Sequence, residues 1–358
     1  MGVPRPPSVE TTTLSQTGAL RTVRLPGDAR PEIVAAGGKV YILYLDPRAQ
    51  AFMAVVYDAS LGTVVAPPRT VITADQTWGH PTDIRIARDG DALVAFYEMA
   101  NDRAGTASLW GVRLGLSPSL PLLSPPSAGP IAQAPFHYRA QTGQELLDDP
   151  APLVTANAIY VATRLKDTLA PGGRATLRVR EFTRNLASVR RVFDLDLSRV
   201  LAGGARTVAL VPNTDGGILL VAPTSAGQSF APIDLTIPSD MALVTLSGDW
   251  RILSSRILLA GHGDSLLSPM GLAWRGPDLL LTYRDIVHTP TPMTAAKSFL
   301  AVFAPNGRER SRIVLNETPF GGQRPRVPRT TVAVGNGLVY VGGETQLGAY
   351  LQVFDKLR

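Results

Sequence analysis

The chain has 358 residues, of which 45% are hydrophobic, enough to bury a full core, and it contains no cysteine, which excludes disulfides, thiolate metal sites and a cysteine nucleophile. Its net charge of +6 is small for this length and is carried by scattered arginines, 31 against four lysines, a balance that suggests a high-GC bacterial genome and gives no sign of nucleic acid as a partner. With 33 glycines and 30 prolines and no collagen period, the composition points to many short strands joined by turns.

Residues 1–17, with Pro4, Pro6, Pro7 and Thr11-Thr12-Thr13, read as a flexible tail ahead of a single domain over residues 18–358. No charged-then-apolar leader opens the chain, and the expectation is a mature exported bacterial protein, periplasmic, secreted or surface-attached, whose signal segment has been removed. Leu20 to Leu25 forms a first strand without a nearby partner. Arg30 to Ala35 then turns at Gly37-Gly38 into Lys39 to Asp46, two strands joined by the glycine-rich link a short hairpin needs, followed by a strand over Phe52 to Tyr57 and another near Thr70 to Thr73.

The same signature returns at His80-Pro81-Thr82-Asp83-Ile84-Arg85, turning at Asp89-Gly90 into a strand that ends in Tyr97-Glu98. It returns again at Asp149-Pro150, near Thr207, at Ser268-Pro269 and near Thr331, with starts close to positions 31, 81, 150, 206, 269 and 327. Six such units make an all-β chain of six four-stranded antiparallel blades. The last unit stops short after Tyr350 to Phe354, so the orphan strand Leu20 to Leu25 is expected to complete it and close the ring. The outer-strand endings Val56-Tyr57-Asp58, Val302-Phe303 and Val353-Phe354-Asp355 resemble those of six-bladed β-propellers in general, a resemblance of architecture that covers nearly the whole chain and carries no family-specific motif.

The long uncharged run Leu114 to Ala134 carries Pro118, Pro121, Pro125, Pro126 and Pro130, which no membrane-spanning helix would tolerate, so no transmembrane segment is expected. With its continuation to residue 148, including Phe136-His137-Tyr138, this Pro-rich insertion is expected to lie over the central funnel as a lid or partner-binding arm. The basic stretch Arg174 to Arg191 alternates with apolar residues as a solvated edge strand pair would.

In a ring of this connectivity, the residues that open each first strand and close each second strand converge on one central funnel. The expected ligand-binding residues are therefore Arg30, Trp78, His80, Asp83, Tyr97, His262, Asp285 and Arg324. A funnel holding carboxylates, arginines and aromatic rings suits a small polar ligand such as a glycan, although acids after strands are also ordinary loop chemistry. Hydrolysis would require two carboxyl groups, one kept protonated; Glu98, beside Tyr97 and near His80, is the candidate acid and Asp149 the candidate base. No histidine or acid spacing of the metal-binding kind is present, nor a nucleophile elbow or a phosphate-cradling glycine loop, so no metal and no cofactor are expected. Because no catalytic constellation stands out, the favoured expectation is a non-enzymatic propeller that binds a glycan or a protein partner at the funnel face; the alternative is a glycosidase-like enzyme using the funnel carboxylates.

Overall fold

The computed structural model describes residues 18–25, 29–124, 129–136, 139–166, 175–201, 207–224, 240–261, 265–287, 295–319, 329–345 and 348–357. Strand β1 (Arg21–Arg24) comes first. Blade 1 is β2 (Ala29–Ala36), β3 (Lys39–Asp46), β4 (Ala51–Asp58) and β5 (Val64–Thr73). Blade 2 holds β6 (His80–Asp89), β7 (Ala92–Asn101), β8 (Thr106–Gly115), β9 (Leu122–Ser124) and β10 (Ala132–Pro135). Blade 3 is β11 (Glu145–Val154), β12 (Ile159–Leu165), β13 (Thr176–Phe182) and β14 (Val189–Asp196), and blade 4 is β15 (Ala209–Pro212), β16 (Ile218–Pro223), β17 (Met241–Leu246) and β18 (Ile252–Leu259). Blade 5 is β19 (Ser265–Arg275), β20 (Asp278–Val287), β21 (Ala295–Phe303) and β22 (Glu309–Pro319); blade 6 is β23 (Thr330–Gly335), β24 (Leu338–Thr345) and β25 (Gly348–Phe354). Every pairing is antiparallel, and the whole is a six-bladed β-propeller.

The ring closes as the sequence suggests. β1 pairs with β25 in the register Arg21 to Val353 and Arg24 to Tyr350, so strands from the two ends of the chain share blade 6. Val23 and Leu25 are buried against Ile33, Val40 and Ile42 of blade 1, which makes the closure apolar as well as hydrogen-bonded.

The second strand of each blade is buried on both faces, and its period of two divides the side chains between two neighbours. On β7, Leu93, Ala95 and Tyr97 pack against blade 1, whereas Val94 and Phe96 pack against blade 3. On β3, Val40, Ile42 and Tyr44 face blade 6 and Tyr41 and Leu43 face blade 2. On β20, Leu279, Leu281 and Tyr283 face blade 4 and Leu280 faces blade 6. The core is thus a ring of apolar layers, one between each pair of adjacent blades.

The hairpins inside each blade are tight. Gly37 and Gly38 both take positive φ, at 54° and 71°, as do Asn336 and Gly337, the pattern of a type I′ turn whose twist matches the flanking strands. At the opposite end of the blades the first strands are irregular. Register breaks fall between Ala29 and Glu32, Pro81 and Asp83, Leu146 and Ala151, and Pro269 and Gly271. Each break contains a proline, which has no N–H to give the ladder and therefore marks a bulge.

Two expectations need correction. The Pro-rich insertion is not a lid as far as it is described: β9 and β10 both pair with β8, so together they form the outer strand of blade 2, and Ile131, Ala134 and Phe136 pack into the layer between blades 2 and 3. His137 and Tyr138 lie outside the described residues. The basic stretch does form an edge pair, but Arg180 on β13 is buried, held by both oxygens of Glu145, and only β14 is a solvated edge.

Candidate functional site

The bulges direct charged side chains into the axis of the ring. On β6 the apolar Ile84 and Ile86 alternate with Asp83 and Arg85, so the two charged residues share one face of the strand. Asp83 is 1% exposed and Arg85 is buried beside it.

Arg85 spans the centre. Its Nη1 donates to Glu32 Oε1 of blade 1 at 2.9 Å and to the Met270 carbonyl of blade 5 at 3.2 Å, and its Nη2 donates to Asp149 Oδ1 of blade 3 at 3.1 Å. Arg329, just ahead of β23, grips Asp83 with both terminal nitrogens at 2.5 and 2.8 Å, and its Nη1 lies 2.9 Å from Asp149 Oδ1. The Asp149 amide in turn donates to Asp83 Oδ2 at 3.1 Å. Three carboxylates and two guanidinium groups therefore interlock across the ring. Paired in this way they avoid the several kcal/mol that each buried ion would cost alone.

Two residues of the cluster adopt a backbone that side-chain-bearing residues seldom take. Arg30 has φ 55° and Asp149 has φ 56°, each immediately before a proline of a bulge. Such conformations cost of order 1 kcal/mol or more and persist where surrounding contacts hold them, here the ion pairs themselves.

A second group of carboxyls adjoins the first. Glu98 lies directly opposite Asp83 in the β6–β7 ladder, and its Oε2 accepts a 2.7 Å hydrogen bond from Thr82 Oγ1. Thr82 also offers its carbonyl to Arg30 Nη1 at 2.6 Å, and the same nitrogen lies 3.7 Å from Asp83 Oδ2. Asp148 of blade 3 accepts a hydrogen bond at Oδ2 from Arg164 Nη2 at 2.7 Å, while its Oδ1 is buried without a hydrogen-bond partner.

The environments of these acids differ in sign. Burial, reinforced by the charges of Asp148 and Asp83, pushes the Glu98 carboxyl up to about 8, against the opposing Thr82 hydrogen bond and Arg30. Glu32 is pushed up to about 7, again by burial, with Arg85 opposing. Burial acts on Asp149 too, but Arg329 and Arg85 outweigh it and hold its carboxyl well below the ordinary carboxylate range. The same axial region thus holds one carboxyl whose proton is retained by burial and another whose charge is held by two guanidinium groups.

Of the residues named from the sequence, Arg30, Asp83, Glu98 and Asp149 come together at the axis. Trp78 and His80 stand at the opening of blade 2: Trp78 is half-buried and packs edge-on to Trp110 at 5.5 Å, and His80 Nδ1 is 3.9 Å from Asp102 Oδ2. Tyr97 is a correction. Strand alternation turns it away from Glu98 into the apolar layer, edge-on to Phe52 and 4% exposed, so it has no surface to offer a ligand. Asp285 is on the blade 4 side of β20, opposite Lys297 in the ladder. His262 and Arg324 lie outside the described residues. Glu32, Arg85, Asp148, Arg164 and Arg329 join the site without being among the residues named from the sequence; at Arg85 the pattern Asp83-Ile84-Arg85-Ile86 puts two charges on one face of the strand.

No family model matches the chain, and no curated relative matches it either. Solved structures do. An endosialidase of phage phi92 superposes with a TM-score of 0.61 at 11% identity over 96% of this chain and 70% of that one. An α-L-arabinanase of Cellvibrio cellulosa gives 0.49 at 12% identity over 80% and 95%, and an exo-1,5-α-L-arabinanase from a bovine ruminal metagenomic library gives 0.47 at 10% over 81% and 97%. At such identities the likeness is one of fold. The expectation of a non-enzymatic binding propeller is nonetheless corrected: the phi92 endosialidase, which shares this fold, is named for a glycan-cleaving activity, and the glycosidase-like alternative is the reading taken up below.

Proposed function

We propose that the protein hydrolyses a glycosidic bond at the axial site, and the observation that carries the reading is the convergence there of Glu98, hydrogen-bonded by Thr82 and raised by burial, with Asp149, held ionised by the Arg85 and Arg329 guanidinium groups. Glycoside hydrolysis needs such a division of labour between carboxyl groups: one must donate a proton to the departing oxygen while another faces the positive charge that develops on the sugar. Glu98 gives its proton to the glycosidic oxygen as the anomeric C–O bond breaks, and the bonding electrons leave with the aglycone. Asp149, locked by Arg85 and Arg329, is a poor proton acceptor but a fixed negative charge for the oxocarbenium-like transition state. Water adds to the anomeric carbon and gives its proton to Asp148, whose Oδ1 has no other hydrogen-bond partner.

The fold supports the reading in that the phi92 endosialidase, which superposes on 96% of this chain, is named for the same class of chemistry. Export, the expectation from the sequence, would bring the enzyme to polymeric glycans outside the cell. The test is a panel of aryl glycosides and soluble polysaccharides assayed for released reducing ends with wild type, Glu98→Gln and Asp149→Asn. Turnover by wild type and its loss in both variants, with unfolding temperatures showing that they remain folded, is the expected result. A panel without turnover, or a Glu98→Gln protein with undiminished activity on natural glycosides, overturns the assignment.

A further inference from the structure

The bulge in β6 does more than interrupt a ladder. Pro81 pairs with Met99 and Asp83 pairs with Glu98, so Thr82 is the extra residue, and two positions of β6 face one of β7. Its hydroxyl donates to Glu98 Oε2 at 2.7 Å, and its carbonyl is pinned by Arg30 Nη1 at 2.6 Å. Arg30 itself is held in the left-handed region by the equivalent bulge of blade 1, between Ala29 and Glu32. A relay of two hydrogen bonds through three residues thus runs from one bulge to the next and ends on the candidate acid.

We infer that Thr82 is a positioning residue: by occupying Oε2 it fixes the rotamer of Glu98 and leaves Oε1 as the oxygen that carries the transferable proton. A hydroxyl that donates to one carboxyl oxygen opposes protonation there, which puts the proton on the other. The inference rests on the glycosidase reading for its catalytic meaning, while the Thr82–Glu98 relationship stands on geometry alone. The charged groups that bear on Glu98 are Asp83 on its own sheet, Asp148 from blade 3 and Arg30 from blade 1; the two aspartates raise its proton affinity, whereas Arg30 and the Thr82 hydrogen bond lower it. Removing the Thr82 hydroxyl without altering side-chain shape therefore moves the midpoint of Glu98 upward.

The experiment follows the side-chain carboxyl carbon of Glu98 by NMR across a pH titration of protein labelled at glutamate, with Glu98→Gln identifying the resonance. Thr82→Val is expected to raise the midpoint by about half to one pH unit, the size of one net hydrogen bond, and Thr82→Ser to restore it. A midpoint unmoved or lowered in Thr82→Val, or a serine variant that behaves like valine, overturns the inference, and neither result depends on turnover. Where the wild type cleaves aryl glycosides, a second readout separates positioning from folding. Thr82→Val should lower kcat on phenyl glycosides, which need protonation of the leaving oxygen, at least tenfold more than on 2,4-dinitrophenyl glycosides, which do not, while Thr82→Ser keeps the wild-type ratio. Equal losses on both would mean that Thr82 acts on the fold and not on the proton donor.

Discussion

Arg329 and Asp83, 246 positions apart in the chain, meet across the ring in a bidentate ion pair that joins the sixth blade to the second. The pair is buried, and Asp149 shares the same guanidinium. Replacing Arg329 by methionine strands two carboxylates in a site that cannot solvate them, which is expected to destabilise the protein by about 3–5 kcal/mol. Lysine at this position should recover only part of that, because a single ammonium cannot make the two parallel bonds. Urea unfolding of these two variants, of Asp83→Asn and of Arg329→Met combined with Asp83→Asn checks the claim; the double variant should lose less than the sum of its two singles.

The Glu98 carboxyl, raised to about 8 from an ordinary 4.5, sets the direction of two pH effects. The folded state binds a proton that the unfolded state releases between these values, so the contribution of Glu98 to stability is fully present below about pH 4.5 and is lost as pH rises through about 8. Glu32, raised to about 7, acts with the same sign. Melting temperature measured from pH 5 to 8.5 should decline on this account, and Glu98→Gln should make the decline shallower. Activity that needs the protonated acid should fall along the same alkaline limb.

Removal of residues 1–26 takes away β1 and with it Val23, Leu25 and the ladder to β25. The truncated protein is expected to melt well below the full chain and to associate through the bare edge of β25, as sedimentation would show. An unchanged melting temperature would contradict the closure.

Gly79 has φ +94°, and a Cβ there would sit 1.9 Å from the Ala100 carbonyl oxygen. Gly79→Ala should therefore cost about 3 kcal/mol or more, by forcing the start of β6 away from β7. Gly37, with φ +54° and no atom within 4 Å of its Cβ position, should lose only about 1 kcal/mol on the same change. Thermal unfolding of the two variants side by side reads the difference.

Most of the ring was legible because its signals are local. Doubly apolar runs such as Leu93 to Tyr97 and turns such as Asn336-Gly337 identify strands and hairpins within a dozen residues, and the orphan strand at one end matched a missing strand at the other. Blade 2 was harder. β9 is three residues long and β10 four, and the prolines around them hid an outer strand split in two. The axial site is legible where a charged residue lies near the opening or the close of a strand, as at Arg30, Asp83, Glu98 and Asp149. Arg329 is lost among 31 arginines, since what distinguishes it is a partner on the far side of the ring, and at Arg85 the alternation with Ile84 and Ile86 marks a shared face with Asp83 but not the partners across the axis. Tyr97 was misplaced by one position of strand alternation.

The pairing of β1 with β25 also orders events in time. During synthesis β1 emerges from the ribosome more than 300 residues before its partner exists, so blade 6 cannot be completed until β25 has emerged. Until then every nascent ring is open. The axial ion pairs impose the same order, because Asp83 must wait for Arg329, and the candidate site is assembled only once the sixth blade has begun to emerge.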